Sequence, residues 1–207
     1  MAYWNEILIY TQSIGTLEFL GLIFGLINVI LLIRQNIMTW PAGLVYIFIS
    51  FIIFWQYQLY GDFILHILFL VLNIYGWWNW KNGRKEELEL IVSKLDTKEH
   101  GILIVITVFG IFLFGYLLSN INLIWTGIEA ASVPYWDATT SILSVTGIWL
   151  MAKKKIENWY YWLVVDILAS GIYFYKGIYF YSFLYGIYIL LAVIGYLAWK
   201  KSYDKIE

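Results

Sequence analysis

A chain that repeats itself at one spacing while staying almost entirely apolar can fold in very few ways. In this chain the spacing is 119 residues. At that offset Glu18 falls on Asp137, Trp40 on Trp159, Leu44 on Leu163, Tyr60 on Tyr179, Gly76 on Gly195, Trp80 on Trp199 and Lys81 on Lys200. The register runs without a gap through three consecutive apolar segments in each half. Self-similarity of this kind marks a duplicated membrane unit, an arrangement from which many transporters are built.

The apolar content decides between membrane and water. Hydrophobic residues make up 62% of the chain and charged residues 13%, against about 25% charged in an average soluble domain. Seven stretches approach the roughly 20 apolar residues that a helix needs to cross the hydrocarbon core: Thr16 to Ile33, Pro41 to Tyr57, Asp62 to Trp80, Ile102 to Ser119, Trp136 to Ala152, Trp159 to Tyr175 and Tyr179 to Trp199. Tight hairpins are expected around Gly61 and Gly177. Seven such runs cannot all be buried inside 207 residues of soluble protein. The fold class expected is an all-α polytopic membrane protein.

Basic residues orient the spans, because cytoplasmic loops carry the Lys and Arg excess. With the N-terminus outside, the internal segments hold Arg34, the group Lys81 to Lys98, the run Lys153 to Lys155, and Lys200, Lys201 and Lys205; of 13 basic residues only Lys176 falls outside. Three helices end on the side opposite their start, so a second parallel copy requires one intervening helix. Ile102 to Ser119 supplies it. The expected architecture is 3+1+3, two parallel three-helix repeats with a SWEET-like layout, N-terminus out and C-terminus in. The divisions are an external segment 1–15, a first repeat 16–80, a solvated cytoplasmic linker 81–101, a linker helix 102–119, a second repeat 136–199 and a cytoplasmic tail 200–207. The first residues carry Glu6 and no basic residue, which reads as a mature end lying along the interface rather than a signal peptide.

Polar groups inside spans are costly and usually face the bundle interior or a water-filled path. His66 and Asn73 share one face of the third segment. Their counterparts are Tyr185 and Ala192, and Tyr181 and Tyr188 extend the Tyr185 stripe. The sixth segment opens on Asn158 and Trp159 and carries Trp162, with Asp166 one turn below, and these four join His66, Asn73, Tyr46 and Tyr185 as the expected substrate-binding residues. Asp166 is either a carboxylate that fixes packing or a contact for a cationic or hydroxyl-rich ligand. His66 is either a core histidine or part of that contact. Tyr46 is a further candidate, whereas Gln56 and Gln58 read as interfacial. Glu18 and Asp137 read as helix-end groups, and the hydroxyls of Thr139 to Thr146 as helix packing. With no Cys, no metal-ligand spacing, no nucleophile beside a base and no phosphate-cradling loop, the sequence points to neither enzyme, cofactor, metal nor nucleic acid.

The run Gln58-Leu59-Tyr60, the motif Asn73-Ile74-Tyr75-Gly76-Trp77 with Trp80, the pair Trp136-Asp137, and Glu157-Asn158-Trp159 with Trp162 and Tyr179 together resemble the PnuC family of bacterial vitamin transporters. The likeness extends from Glu18 to Trp199. It implies a multi-pass protein of the cytoplasmic (inner) membrane that takes up an unphosphorylated vitamin precursor by facilitated diffusion, nicotinamide riboside first, then thiamine or riboflavin. It also implies a homotrimer and trapping of the substrate by a cytoplasmic kinase. The resemblance puts Trp162 under the substrate ring and Asn73 among the polar contacts. Three positions depart from the family pattern, with Tyr46 and Asp166 where the pattern has Asn and His66 where it has Gln. A SWEET-type sugar transporter is the rival of the same layout.

Overall fold

The computed structural model describes residues 4, 5, 7, 15–57, 60–83, 90–124 and 133–205. Most of the expected N-terminal segment, Gln58 and residues 84–89 of the expected linker lie outside the described residues. Eight helices are named: α1 (Thr16–Ile33), α2 (Thr39–Gln56), α3 (Tyr60–Asn82), α4 (Thr97–Ser119), α5 (Ile121–Ile124), α6 (Pro134–Ala152), α7 (Asn158–Tyr175) and α8 (Tyr179–Tyr203). Among the described residues the one strand-like pairing is an isolated parallel bridge between Ser93 and Lys155.

Local chemistry moves several boundaries away from those expected. Helix α4 starts at Thr97 rather than Ile102 because Asp96 accepts from the Glu99 N–H at 2.7 Å while Glu99 accepts from the Asp96 N–H at 2.9 Å, a reciprocal capping box. Pro41 lies inside the first turn of α2, where the missing N–H has no intrahelical partner to lose. Gly61 falls in the first turn of α3, while Gly177 does form the α7–α8 turn with φ +74°. Five helices, α1 to α4 and α8, are long and apolar enough to cross a membrane. The other two expected spans, α6 and α7, are of similar length but less apolar. They carry Thr139, Thr140, Ser141, Ser144 and Thr146, and Asn158 and Asp166, respectively.

The sequence repeat is reproduced atom by atom at the helix ends. Gln35 and Lys154, 119 residues apart, both adopt left-handed backbone, with φ +54° and +53°, uncommon for non-glycine residues. Each ends its helix in the same way. Gln35 N–H donates to Leu32 O and Lys154 N–H to Met151 O, while Asn36 N–H and Lys155 N–H donate to Leu31 O and Leu150 O. Beyond each turn a tryptophan, Trp40 or Trp159, packs flat against a glycine, Gly76 or Gly195, on the third helix of its own unit.

Four tryptophans link the two units. Trp40 meets Trp80 edge to face at 5.4 Å, Trp80 meets Trp199 at 6.2 Å, and Trp199 meets Trp159 edge to face at 5.7 Å. The hydrogen bonds across the junction are reciprocal: Trp80 Nε1 donates to Met151 O at 3.1 Å, and Trp199 Nε1 donates to Leu32 O at 3.0 Å. A contact in which residue i meets j and the equivalent of j meets the equivalent of i is the mark of a two-fold interface. Helix α1 accordingly packs on α8, and α3 on α6. The buried core, with Leu32, Met151, Ala152, Ile156 and Ala192 around these rings, sits at this lysine-bearing end.

The charged stretch expected to be a solvated linker contributes to that core. Val92 is only 2% exposed and belongs to the tryptophan cluster. Ser93 pairs on both sides with the α6–α7 turn, Leu95 N–H donates to Glu157 at 3.1 Å, and Lys154 Nζ donates to Leu90 O at 2.7 Å. The flanking charges hide one apolar anchor.

Trp199→Phe keeps the ring but removes the donor, leaving the buried Leu32 carbonyl without its indole partner. Leu32 O keeps its Gln35 N–H partner and Met151 O its Lys154 N–H partner, so Trp199→Phe and Trp80→Phe are each expected to lower stability by about one net hydrogen bond, about 0.5–1.5 kcal/mol. Thermal unfolding of the detergent-solubilised protein measures both; an unchanged midpoint in both variants would show that the crossed hydrogen bonds do not hold the units together.

Candidate functional site

Helix α7 turns one face inward, formed by Trp159, Trp162, Asp166 and Ala169, residues spaced so that they stack along one side of a helix. The equivalent face of α2 is Trp40, Gly43, Ile47 and Ser50, and all four are buried. The two faces share a backbone and differ in what they carry. At the first difference, Trp162 lies against Gly147 of α6, whose added Cβ would stand 3.2 Å from the indole. In the first unit glycine and bulk change places: a Cβ at Gly43 would stand 2.8 Å from the amide nitrogens of both Asn28 and Asn73. One slot holds an indole and its twin holds two carboxamides.

At the second difference, Asp166 is 7% exposed and Ile47 is 2% exposed. Tyr185 and Tyr188 of α8 lie within electrostatic reach of the Asp166 carboxyl. Tyr185 stacks on Tyr173 at 5.5 Å and touches Tyr188 at 5.8 Å. The same three places in the first unit hold Phe54, His66 and Phe69, with His66 4.7 Å from Phe54 and 4.9 Å from Phe69. Likewise the Phe51–Phe63 ring pair becomes a Ser170–Ser182 hydrogen bond in the second unit.

The two clusters meet over α1. Gly25 has no side chain, and the Tyr188 hydroxyl and Tyr46 ring approach the space one would fill, at 2.9 and 3.6 Å from an added Cβ. Tyr46 in turn lies 6.2 Å from His66. His66 Nδ1 pairs with Asp62 O at 2.9 Å, while its Nε2 and the Asn73 Oδ1 are buried without partners among the described residues. The arrangement is an aromatic cluster beside the Asp166 carboxyl, with Asp62 within electrostatic reach of Tyr46 and Tyr173 and several open hydrogen-bonding groups. It is suited to holding a flat polar molecule and holds no nucleophile–base pair for covalent chemistry.

The profile of the nicotinamide mononucleotide transporter family matches residues 15–201. The chain belongs to this family of membrane transporters. It is 27% identical to the nicotinamide riboside transporter PnuC of Escherichia coli (strain K12) over 92% of this chain and 87% of that protein. It is 26% identical to the riboflavin/roseoflavin transporter RibM of Streptomyces davaonensis, with the same coverage. The crystal structure of the vitamin B3 transporter PnuC superposes with a TM-score of 0.72 at 18% identity, covering 98% of this chain and 88% of the other. The protein is therefore a multi-pass membrane transporter with a PnuC-like fold, not an enzyme.

In this transporter the residues singled out from sequence divide into groups. Tyr46 lies beside His66, and Tyr185 lies within electrostatic reach of Asp166, in the aromatic cluster over α1. Asn73 and Trp162 occupy the twin slots at Gly43 and Gly147. Trp159 and Asn158 sit deeper, at the lysine-bearing end. Trp159 packs on Gly195 and Trp199, and Asn158 is fully buried with its Nδ2 donating to Lys155 O at 2.7 Å. Sequence reading passed over Asn28, which donates to Thr39 O at 2.7 Å and shares the Gly43 slot. A lone amide in mid-span was the available signal. Tyr173 was missed because it reads as one more interfacial aromatic.

Proposed function

We propose that this transporter takes up nicotinamide riboside across the bacterial inner membrane by facilitated diffusion. The single observation that carries the reading is the aromatic cluster gathered beside the buried Asp166. A pyridinium ring is flat and cationic, and its attraction to aromatic faces adds to that of the acid. The ribose hydroxyls find partners in the open His66 and Asn73 groups. Thiamine is the second reading, because Asp166 equally suits an aminopyrimidine and a thiazolium ring. The identity with the E. coli riboside transporter supports the first.

The mechanism we infer is alternating access in a 3+1+3 bundle of seven spans, N-terminus out and C-terminus in. Two parallel units, 16–80 and 136–199, would rock about the tryptophan junction, with the helix at 102–119 joining them. Recurrence of the same turns and tryptophan–glycine contacts supports the parallel pairing, and the gathering of Lys94, Lys153, Lys154 and Lys155 at one end supports the orientation. The functional unit in this reading is a homotrimer, and a cytoplasmic kinase traps the imported riboside by phosphorylation.

Equilibrium binding on purified protein tests the substrate. Saturable binding of nicotinamide riboside is expected, with thiamine and riboflavin weaker and glucose without effect as a competitor. No saturable binding of any of the three vitamins would sink the vitamin reading. Uptake into proteoliposomes is expected to proceed equally with and without a proton gradient; uptake that requires the gradient contradicts facilitated diffusion.

A further inference from the structure

The duplicated fold contains its own control for Asp166. The equivalent slot on α2 is filled by Ile47, buried to a similar degree on a helix with the same bounds in the other unit. That place in the fold accepts an aliphatic side chain, so nothing about the backbone or the packing demands a carboxylate there. An ionised acid inside a membrane protein is expensive unless it is paired. Yet Asp166 has no hydrogen-bond or ion-pair partner among the described residues, and no basic side chain there acts on it. The carboxyl has no counter-charge among the described residues.

Its surroundings define what that counterpart is. Trp162 lies one turn away on the same face, and Tyr185 and Tyr188 lie within electrostatic reach. Aromatic faces and a carboxylate at one place form a site for an organic cation with a flat ring, since ring quadrupole and charge both attract it. The same groups do less for a neutral ring. It brings no counter-charge to the carboxyl and gains only stacking, so it is held less tightly than the cation.

We propose that Asp166 selects substrates by charge, admitting a cationic heteroaromatic ring and turning away a neutral ring of the same shape. The proposal rests on the vitamin-uptake reading and deepens it. It makes Asp166 the residue that adds discrimination by charge to the attraction of the aromatic faces for a cation.

Nicotinamide riboside and its 1,4-dihydro form differ in the charge of the ring and little in shape, so their binding to the purified transporter isolates the effect. The wild type is expected to prefer the cation by roughly tenfold or more, the scale of one interaction with a buried charge. Asp166→Asn is expected to remove most of that preference while binding the neutral form as well as or better than the wild type, which also shows that the variant is folded. Asp166→Glu, which keeps the charge, is expected to retain the preference. A wild type that binds both forms alike leaves the substrate reading standing and overturns charge selection. A wild type that binds neither removes the substrate reading and this inference with it. Riboside binding that requires sodium ions, and loses the requirement in Asp166→Asn, assigns the carboxylate to a coupled metal ion and also overturns the proposal.

Discussion

Gly195→Ala is expected to yield almost no correctly assembled transporter, and Gly76→Ala the same. A Cβ at Gly195 would fall inside the contact radius of the six-membered ring of Trp159, and one at Gly76 would do the same to Trp40. Neither indole has anywhere to go. Trp159 is wedged edge to face against Trp199 at 5.7 Å and Trp40 against Trp80 at 5.4 Å, and both are almost wholly buried. Shifting either ring displaces Trp80 or Trp199, and with them the two hydrogen bonds that cross between units. Ordinary overpacking costs about 1–3 kcal/mol; here rigid rings carry the strain into the junction, so the cost should lie at or above the top of that range. Helix propensity works the other way by about 1 kcal/mol and does not offset it. Gly171→Ala is the control, because an added Cβ there meets nothing within 4 Å. Size-exclusion profiles and unfolding midpoints of the three variants measure the contrast, and a monodisperse Gly195→Ala protein with a wild-type midpoint would refute the packing argument.

The residues of that junction stand out in the sequence as repeat matches, but their packing does not: Trp159 reads there as a substrate contact, whereas it packs on Gly195 and Trp199. The matches themselves, tryptophans and a glycine that recur after 119 residues, need no knowledge of orientation to be noticed. The polar and aromatic cluster proposed as the site lies where the repeat breaks, at His66 against Tyr185 and Ile47 against Asp166, so its members stand out in the sequence. Three other things stayed hidden. Asn28 aligns with Gly147, a pairing that looks like noise until the structure shows bulk and glycine exchanged between two slots. Val92 was concealed by the lysines and acids around it, since composition averages over a linker while burial acts on one side chain. The polar character of α6 and α7 was visible, but its consequence was not. Polar groups that turn inward lower a helix's mean apolarity without making it a worse span, so length and composition alone stop at five.

Trp162→Ala is expected to weaken riboside binding by roughly 100-fold, the largest functional loss of any single substitution in the proposed site. The indole is the broadest flat surface beside Asp166 on α7, and a desolvated cation over such a face gains about 2 kcal/mol or more beyond area burial. Loss of stacking area adds to this, giving close to the 2.7 kcal/mol that a hundredfold change represents. A packing role alone predicts something different. Trp162 fills the slot at Gly147, so its removal leaves a cavity and lowers the unfolding midpoint whether or not substrate touches the ring. Trp162→Phe separates the two effects: it keeps an aromatic face and gives up little hydrogen bonding, because Trp162 Nε1 has no partner among the described residues. It should recover most of the affinity while recovering only part of the stability, since phenylalanine is smaller than the slot. Calorimetric titration on monodisperse protein, with midpoints measured on the same samples, reads both quantities. Wild-type affinity in Trp162→Ala would move the substrate ring off this indole and leave Trp162 as the second unit's answer to the paired amides of the first.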